Sequence, residues 1–297
     1  MVYYLFKLRA SFFLILLSVY LFSKVAYARV DVDSNDEPPN TGAFALPESQ
    51  QPGPLISFGQ ILIGKNAVQL GLGGTETYFP GETLNNTPFS LDYGFTEDTA
   101  LFFSYARSFN RPTSPLNTSL TLEHSIYYSG TNKYQEEATI VGELLLPLND
   151  GKNEQILIED SALGYFLGAT YVWMSVDWYW FASPGVTAYR YNPNHVQPGT
   201  DFSYQAGLGH NIKSVSDKYI WFGLLELDGD YITKERGFVE DAYNTGGNVI
   251  TLTPSFYFST PHTILQLGVS VPVVQNLNGD QLKSHYAIVA AIYWTIT

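Results

Sequence analysis

The segment LLELDGDYI, residues 224–232, places three carboxylates at alternate positions: Glu226, Asp228 and Asp230. Carboxylate oxygens are the usual ligands of hard cations. In an extended chain, however, alternate residues stand about 7 Å apart. That is too far to share one ion without a turn, so no metal site is expected. The chain has no cysteine, which removes thiolate catalysis, thiolate metal sites and redox motifs. A serine nucleophile needs a base beside it, and on one strand the compact arrangement is His and Ser two positions apart. None of His124, His195, His210, His262 and His285 has a serine two positions away. Gly73-Gly74 and Gly246-Gly247 follow no phosphate-loop pattern and read as strand flexibility. No catalytic residue and no cofactor is expected. What the carboxylates do must depend on the elements that hold them.

Those elements are strands. Period-2 alternation recurs from about residue 66 onward. Phe202, Tyr204, Ala206, Leu208 and Ile212 alternate with Ser203, Gln205, Gly207, Gly209 and Asn211. Leu265, Leu267, Val269, Val271 and Val273 alternate with Gln266, Gly268 and Ser270. Twelve such segments lie near 66–79, 87–94, 99–107, 118–128, 137–146, 161–173, 178–190, 201–212, 218–231, 248–258, 263–273 and 284–296. Connections after odd-numbered segments are long (108–117, 147–160, 232–247). Those after even-numbered segments are mostly short (95–98, 174–177, 213–217, 259–262), with 129–136 the longest. An even strand count with short turns at one end and long loops at the other is the pattern of transmembrane β-barrels. A sandwich has no reason to sort its loops by parity. Trp173, Trp178, Trp180, Trp221 and Trp294 all fall close to the short-turn end. Indole rings favour the lipid headgroup level, which predicts a membrane-interface girdle on the periplasmic side.

If the apolar face meets lipid, the other face lines a lumen. The lumen-lining candidates are Asp92, Glu123, Glu143, Tyr179, Gln205, Glu226, Asp228 and Gln266, joined by Gln69, Asn211, Thr251 and Thr253. His124 and His210 instead share the outward parity. Eight strands make a barrel filled by side chains and sixteen leave a wide channel, so twelve predict a narrow or partly plugged pore. An acidic lumen favours cations or neutral solutes over anions. Phe181, Tyr179 and Tyr257 share the inward parity, compatible with aromatic solutes or with simple filling of a narrow barrel. Pro184, Pro254 and Pro272 fall inside strands and each removes a ladder donor; a bulge or strand end is expected there, first of all at Pro184-Gly185.

Both ends of the chain point outside the cytoplasm. Lys7 and Arg9 precede the apolar run Phe12–Phe22 and then Ala26-Tyr27-Ala28, which predicts a signal peptide over 1–28. The run is about half the roughly 20 residues that a spanning helix needs. Residues 29–65 carry many prolines and acids and few residues that could build a core. They read as an acidic leader that hangs in the periplasm or folds into the lumen as a plug, and composition does not choose. The formal charge is −13, and a strongly acidic chain disfavours nucleic acid as a partner. Only 14% of residues are charged, against 22 tyrosines and 19 phenylalanines. Composition alone leaves a soluble β-sandwich and an outer-membrane barrel both open. The last segment, with Tyr286, Ile288, Ile292 and Trp294 on one face, reads as the closing strand that seals against 66–79.

The segments DYGFTED (92–98), ELDGDY (226–231), GGNVITLTPSFYF (246–258) and LGVSVPVVQNLNGDQ (267–281) resemble a bacterial outer-membrane family. That family is described as transporter-like and is named for the meta-pathway of phenol degradation. The resemblance implies a barrel with a role in passage of hydrophobic or aromatic compounds. It supplies no catalytic or ligand-binding motif.

The expectation is therefore an all-β protein: a transmembrane antiparallel up-and-down barrel of about twelve strands over 66–297, in the bacterial outer membrane. Outer-membrane lipid, a small-molecule solute and the barrel assembly machinery are its expected partners, and passive passage of small solutes its expected role. The rivals are a surface-interaction barrel acting through loops 147–160 and 232–247, and a lipid-modifying enzyme using His124 or His210.

Overall fold

The computed structural model describes residues 31–32, 39–59, 63–107, 117–147, 162–193, 195–237 and 241–296. The expected signal peptide, residues 148–160 and 238–240 of the two loops singled out above, and Thr297 lie outside the described residues. Twelve strands follow one another: β1 Val68–Phe79, β2 Glu82–Thr96, β3 Thr99–Arg107, β4 Asn117–Gly130, β5 Tyr134–Pro147 and β6 Gly164–Ser175. The second half holds β7 Trp178–Tyr189, β8 Asp201–Val215, β9 Tyr219–Ile232, β10 Gly247–Ser259, β11 Thr263–Leu277 and β12 Tyr286–Ile296. Each pairs antiparallel with its sequence neighbour. The sheet closes where β12 meets β1, from Tyr286↔Tyr78 to Ile296↔Val68. It is a closed twelve-stranded antiparallel barrel. A two-residue strand, Asp31–Val32, adds in parallel to Tyr128–Ser129, on the edge of β4 that extends past the last β3 pair, Thr99↔His124.

The alternation in the sequence becomes the two faces of this wall. Leu72, Leu167, Leu208, Leu225, Leu267 and Ile292 are exposed on the outside, while Gln69, Glu123, Glu226, Thr253 and Thr295 are buried inside. So large an apolar belt is not stable in water. In hydrocarbon it is, provided every backbone amide is paired, and closure provides that.

Two-residue turns at 97–98 and 176–177 and three-residue turns at 131–133, 216–218 and 260–262 mark one end of the barrel. The longer connections gather at the other. The first hairpin departs from this rule. Residues 80–86 are not a loop, because β2 already starts at Glu82 and only Pro80 and Gly81 turn the chain. Gly81, at φ +84°, occupies the left-handed position that a type II turn requires after proline. The long connections between β7 and β8, β9 and β10, and β11 and β12 are tied together. Gln197 and Arg236 exchange backbone bonds of 2.8 and 3.0 Å, and the Asn278 amide donates to Gly246 at 3.1 Å.

The proline expectation needs correction. Register is unchanged on either side of Pro184, from Gly168↔Gly185 to Tyr171↔Ala182. The same holds around Pro254. The bulge instead sits at Pro272, where Ile250↔Val274 is followed by Thr251↔Pro272 and Val273 is the extra residue. A ladder tolerates one missing donor without a register change, so proline alone does not specify a bulge. Three further bulges, at Phe95, Ile126 and Ile212, contain no proline.

Candidate functional site

The interior is occupied by the chain's own N-terminal part. Residues 41–46 enter at the short-turn end. The Ala43 amide donates to the carbonyl of Val176 at 2.8 Å, and the Asp217 amide donates to the carbonyl of Ala45 at 2.9 Å. Ala43, Phe44, Ala45 and Leu46 are buried against Val172, Met174, Tyr179, Phe181, Phe222 and Tyr257. Residues 29–65 offer few residues that could build a core, yet Ala43–Leu46 are buried here. This four-residue apolar run completes the main buried cluster, although the surrounding prolines and acids mask it in the composition. The same packing decides the role of Tyr179, Phe181 and Tyr257: they fill the barrel by covering the inner segment.

Beyond this cluster the segment climbs the wall of β9–β12 through polar contacts. The Gln50 amide donates to Thr295 Oγ1 at 2.6 Å, where the Gln69 amide also donates at 2.7 Å. The Tyr257 hydroxyl donates to the carbonyls of Gln50 and Gln51 at 3.0 and 2.7 Å. Gln266 Nε2 donates to the carbonyls of Gly53 and Pro54. Glu226 then accepts three successive backbone N–H groups, from Leu55 at 2.8 Å, Ile56 at 3.1 Å and Ser57 at 3.2 Å. The Ser57 hydroxyl donates to Asp228 Oδ1 at 2.7 Å, and the Phe58 amide to Gln205 Oε1 at 3.0 Å. At the top Phe58 meets Phe166 edge to face, with centroids 4.6 Å apart. The returning stretch buries Ile63 against Ala100 and Phe102.

The segment thus leans on one side of the lumen and leaves space on the other. A cavity of about 260 Å³ lies between Phe58-Gly59 and the wall of β1–β6 and β12. Asp92, Glu123 and Glu143 line it, with Ser90, Ser104, Thr121, Phe102, Phe166 and Tyr293. A second cavity of about 230 Å³ is bounded by Glu48, Glu97, Tyr128 and Glu137; Glu97 places it towards the short-turn end. None of the described residues lining either cavity is Lys or Arg. Low-dielectric walls around charges of one sign focus the field inside.

The inward candidates thus separate into two groups. Tyr179, Gln205, Glu226, Asp228 and Gln266 hold the inner segment, while Asp92, Glu123 and Glu143 line the larger cavity. Of the second group, Glu123 accepts a bond from Thr139 Oγ1 at 2.7 Å and Asp92 one from Ser90 at 3.2 Å.

Comparison with known proteins adds a single firm point. No protein-family model matches the sequence, and no curated protein does. Among solved structures, an outer membrane channel from Pseudomonas putida F1 superimposes with a TM-score of 0.58 over 83% of this chain and 99% of its own, at 12% identity. The fold is that of an outer-membrane barrel. The NanC porin covers 76% of this chain and 98% of its own at a TM-score of 0.49 and 9% identity. LpxR from Salmonella typhimurium covers 76% and 99% at 0.45 and 10%. At such identities likeness speaks for fold, and function must be argued from the site.

The two outward histidines stand apart from both groups. His124 Nδ1 lies 2.9 Å from Thr99 Oγ1, its ladder partner on β3, so its cross-strand partner is a threonine and not a serine. His210 packs edge to face on Trp178, centroids 4.5 Å apart. Trp173, Trp178 and Trp180 flank the turn at 176–177, Trp221 follows that at 216–218, and Trp294 pairs with Thr263 beside that at 260–262. The residues that sequence reasoning missed are those of the inner segment, above all Phe44, Gln50, Ser57 and Phe58. Their only signal was the short run Ala43–Leu46.

Proposed function

We propose that the protein is an outer-membrane channel for passive passage of small neutral or cationic solutes through the half of the lumen that its inner segment leaves open. The observation that carries this reading is the cavity of about 260 Å³ lined by Asp92, Glu123 and Glu143 and by no basic residue among those described. The protein is read as a non-enzyme, with both ends of the barrel sequence in the periplasm and the five tryptophans at the periplasmic headgroup level. The resemblance to the phenol-pathway family, and the name of the Pseudomonas putida channel, favour the same role. The aromatic rings beside the carboxylates favour solutes with an apolar body.

The test is conductance in planar bilayers under a potassium chloride gradient. The reversal potential is expected on the cation-selective side, and Glu143→Gln and Asp92→Asn each move it toward zero, since each removes a lumen charge without changing side-chain size. A bilayer that stays silent, together with no solute uptake into liposomes, overturns the channel reading. Anion selectivity overturns the assignment of solute class.

A further inference from the structure

The larger cavity holds an unsatisfied charge partner. Asp92 is 2% exposed. Its Oδ2 accepts from Ser90, but no protein donor reaches its Oδ1 among the described residues. A buried carboxylate oxygen without a donor is costly, and none of the described residues lining the cavity is a Lys or Arg that could neutralise it. Four rings also line it, those of Phe58, Phe102, Phe166 and Tyr293, among small and polar side chains that include Ser104 and Thr121. Ring faces attract cations and bury apolar surface at the same time.

A bare metal ion fits poorly. No group of three or more His, Cys, Asp or Glu close enough to hold one exists among the described residues. An ion that carries its own donors and an apolar body suits both halves of the lining.

We propose that this cavity is a binding site for a small organic ammonium ion, with the Asp92 carboxylate as its charge partner and the rings of Phe58, Phe102, Phe166 and Tyr293 around its apolar part. The ammonium hydrogens supply the donors that Asp92 lacks, and the cavity volume suits a single ring with a short chain. Glu123 and Glu143 add two further carboxylates to the same space. The proposal deepens the channel reading of this cavity and rests on it for the route of access.

The experiment is calorimetric titration of the detergent-solubilised full-length barrel with phenethylammonium chloride, 2-phenylethanol and 3-phenylpropionate. The three probes share a ring and a short chain and differ in charge. Phenethylammonium is expected to bind about tenfold or more tighter than the neutral alcohol, and the carboxylate not at all. Asp92→Asn is expected to erase the advantage, while Asp280→Asn, in an exposed connection, leaves it intact. Should Asp92→Asn fail to fold, Ser104→Phe serves instead, because a ring there occupies the cavity and must abolish binding. Equal binding of the alcohol, or unchanged affinity in folded Asp92→Asn or Ser104→Phe, overturns the proposal. Potassium current without ammonium binding overturns the site and leaves the channel. Ammonium binding with neither current nor solute uptake leaves the site and overturns the channel.

Discussion

Glu226 is fully buried in a lumen that is already acidic, and its partners explain how that is tolerated. Three backbone N–H groups in succession, from Leu55 to Ser57, converge on its two oxygens. Such converging amides form a cradle for an anion, and bonds to a charged acceptor are the stronger ones. Replacing the side chain with alanine removes the acceptor and strands the donors, a loss of about 3 kcal/mol. Amide hydrogen exchange at Leu55, Ile56 and Ser57 should then accelerate about a hundredfold in Glu226→Ala, by the usual link between local stability and opening. Glu226→Gln keeps one acceptor oxygen and should fall between. Exchange unchanged in Glu226→Ala would mean that packing, not the carboxylate, holds the segment. The sequence shows Glu226 facing inward by its opposite parity to Leu225 and Leu227. It cannot show the partner, which is backbone lying 171 residues away in the chain and carries no residue-type signal.

At the scale of elements, strands and inner segment differ in how openly they are written. A strand that separates hydrocarbon from a polar interior must alternate along its whole length, so all twelve were legible, mostly to within a few residues. Their ends were less so. β2 and β5 begin earlier than alternation indicates, because Glu82–Asn86 and Tyr134–Glu136 carry polar residues near the rim, where the lipid no longer dictates one face. The inner segment repeats nothing and is recognised only by what it touches. Its entry depends on Gly42, at φ +62°, whose amide donates to Ser214 Oγ at 2.9 Å. An added Cβ there would collide with the carbonyl of Val176, and the left-handed conformation itself costs an alanine about 1–2 kcal/mol. Phe44→Ala removes a buried ring from the main cluster, which costs about 3–5 kcal/mol. Both variants should release the segment without opening the barrel. Faster exchange at Ala43 and Ala45 with unchanged protection of β9 and β10 is the expected signature. Loss of protection throughout the barrel would show instead that the segment is needed for the wall to stand.

For the whole molecule, the question is what limits passage. The wall is a continuous ladder, and its closing strand does two jobs at one residue. Thr295 lies on β12 opposite Gln69 of β1, and its hydroxyl accepts both the Gln69 and the Gln50 amides. Barrel closure and attachment of the inner segment therefore meet at the seam, yet the ladder itself needs only backbone bonds. Excising residues 41–58 should leave the wall closed and remove what fills one side of the lumen. The space gained is polar as well as large, because Glu226 and Asp228 lose their partners and become wall carboxylates facing water. Conductance is then expected to rise about tenfold, toward that of a barrel without an internal plug. Cation preference should persist despite the wider path, since two further negative charges enter the lumen. A larger current that loses its selectivity would mean that Asp92, Glu123 and Glu143 govern ions only when the inner segment confines them. An unchanged current would place the restriction elsewhere, among the connections that Gln197, Arg236 and Gly246 tie together at the opposite end.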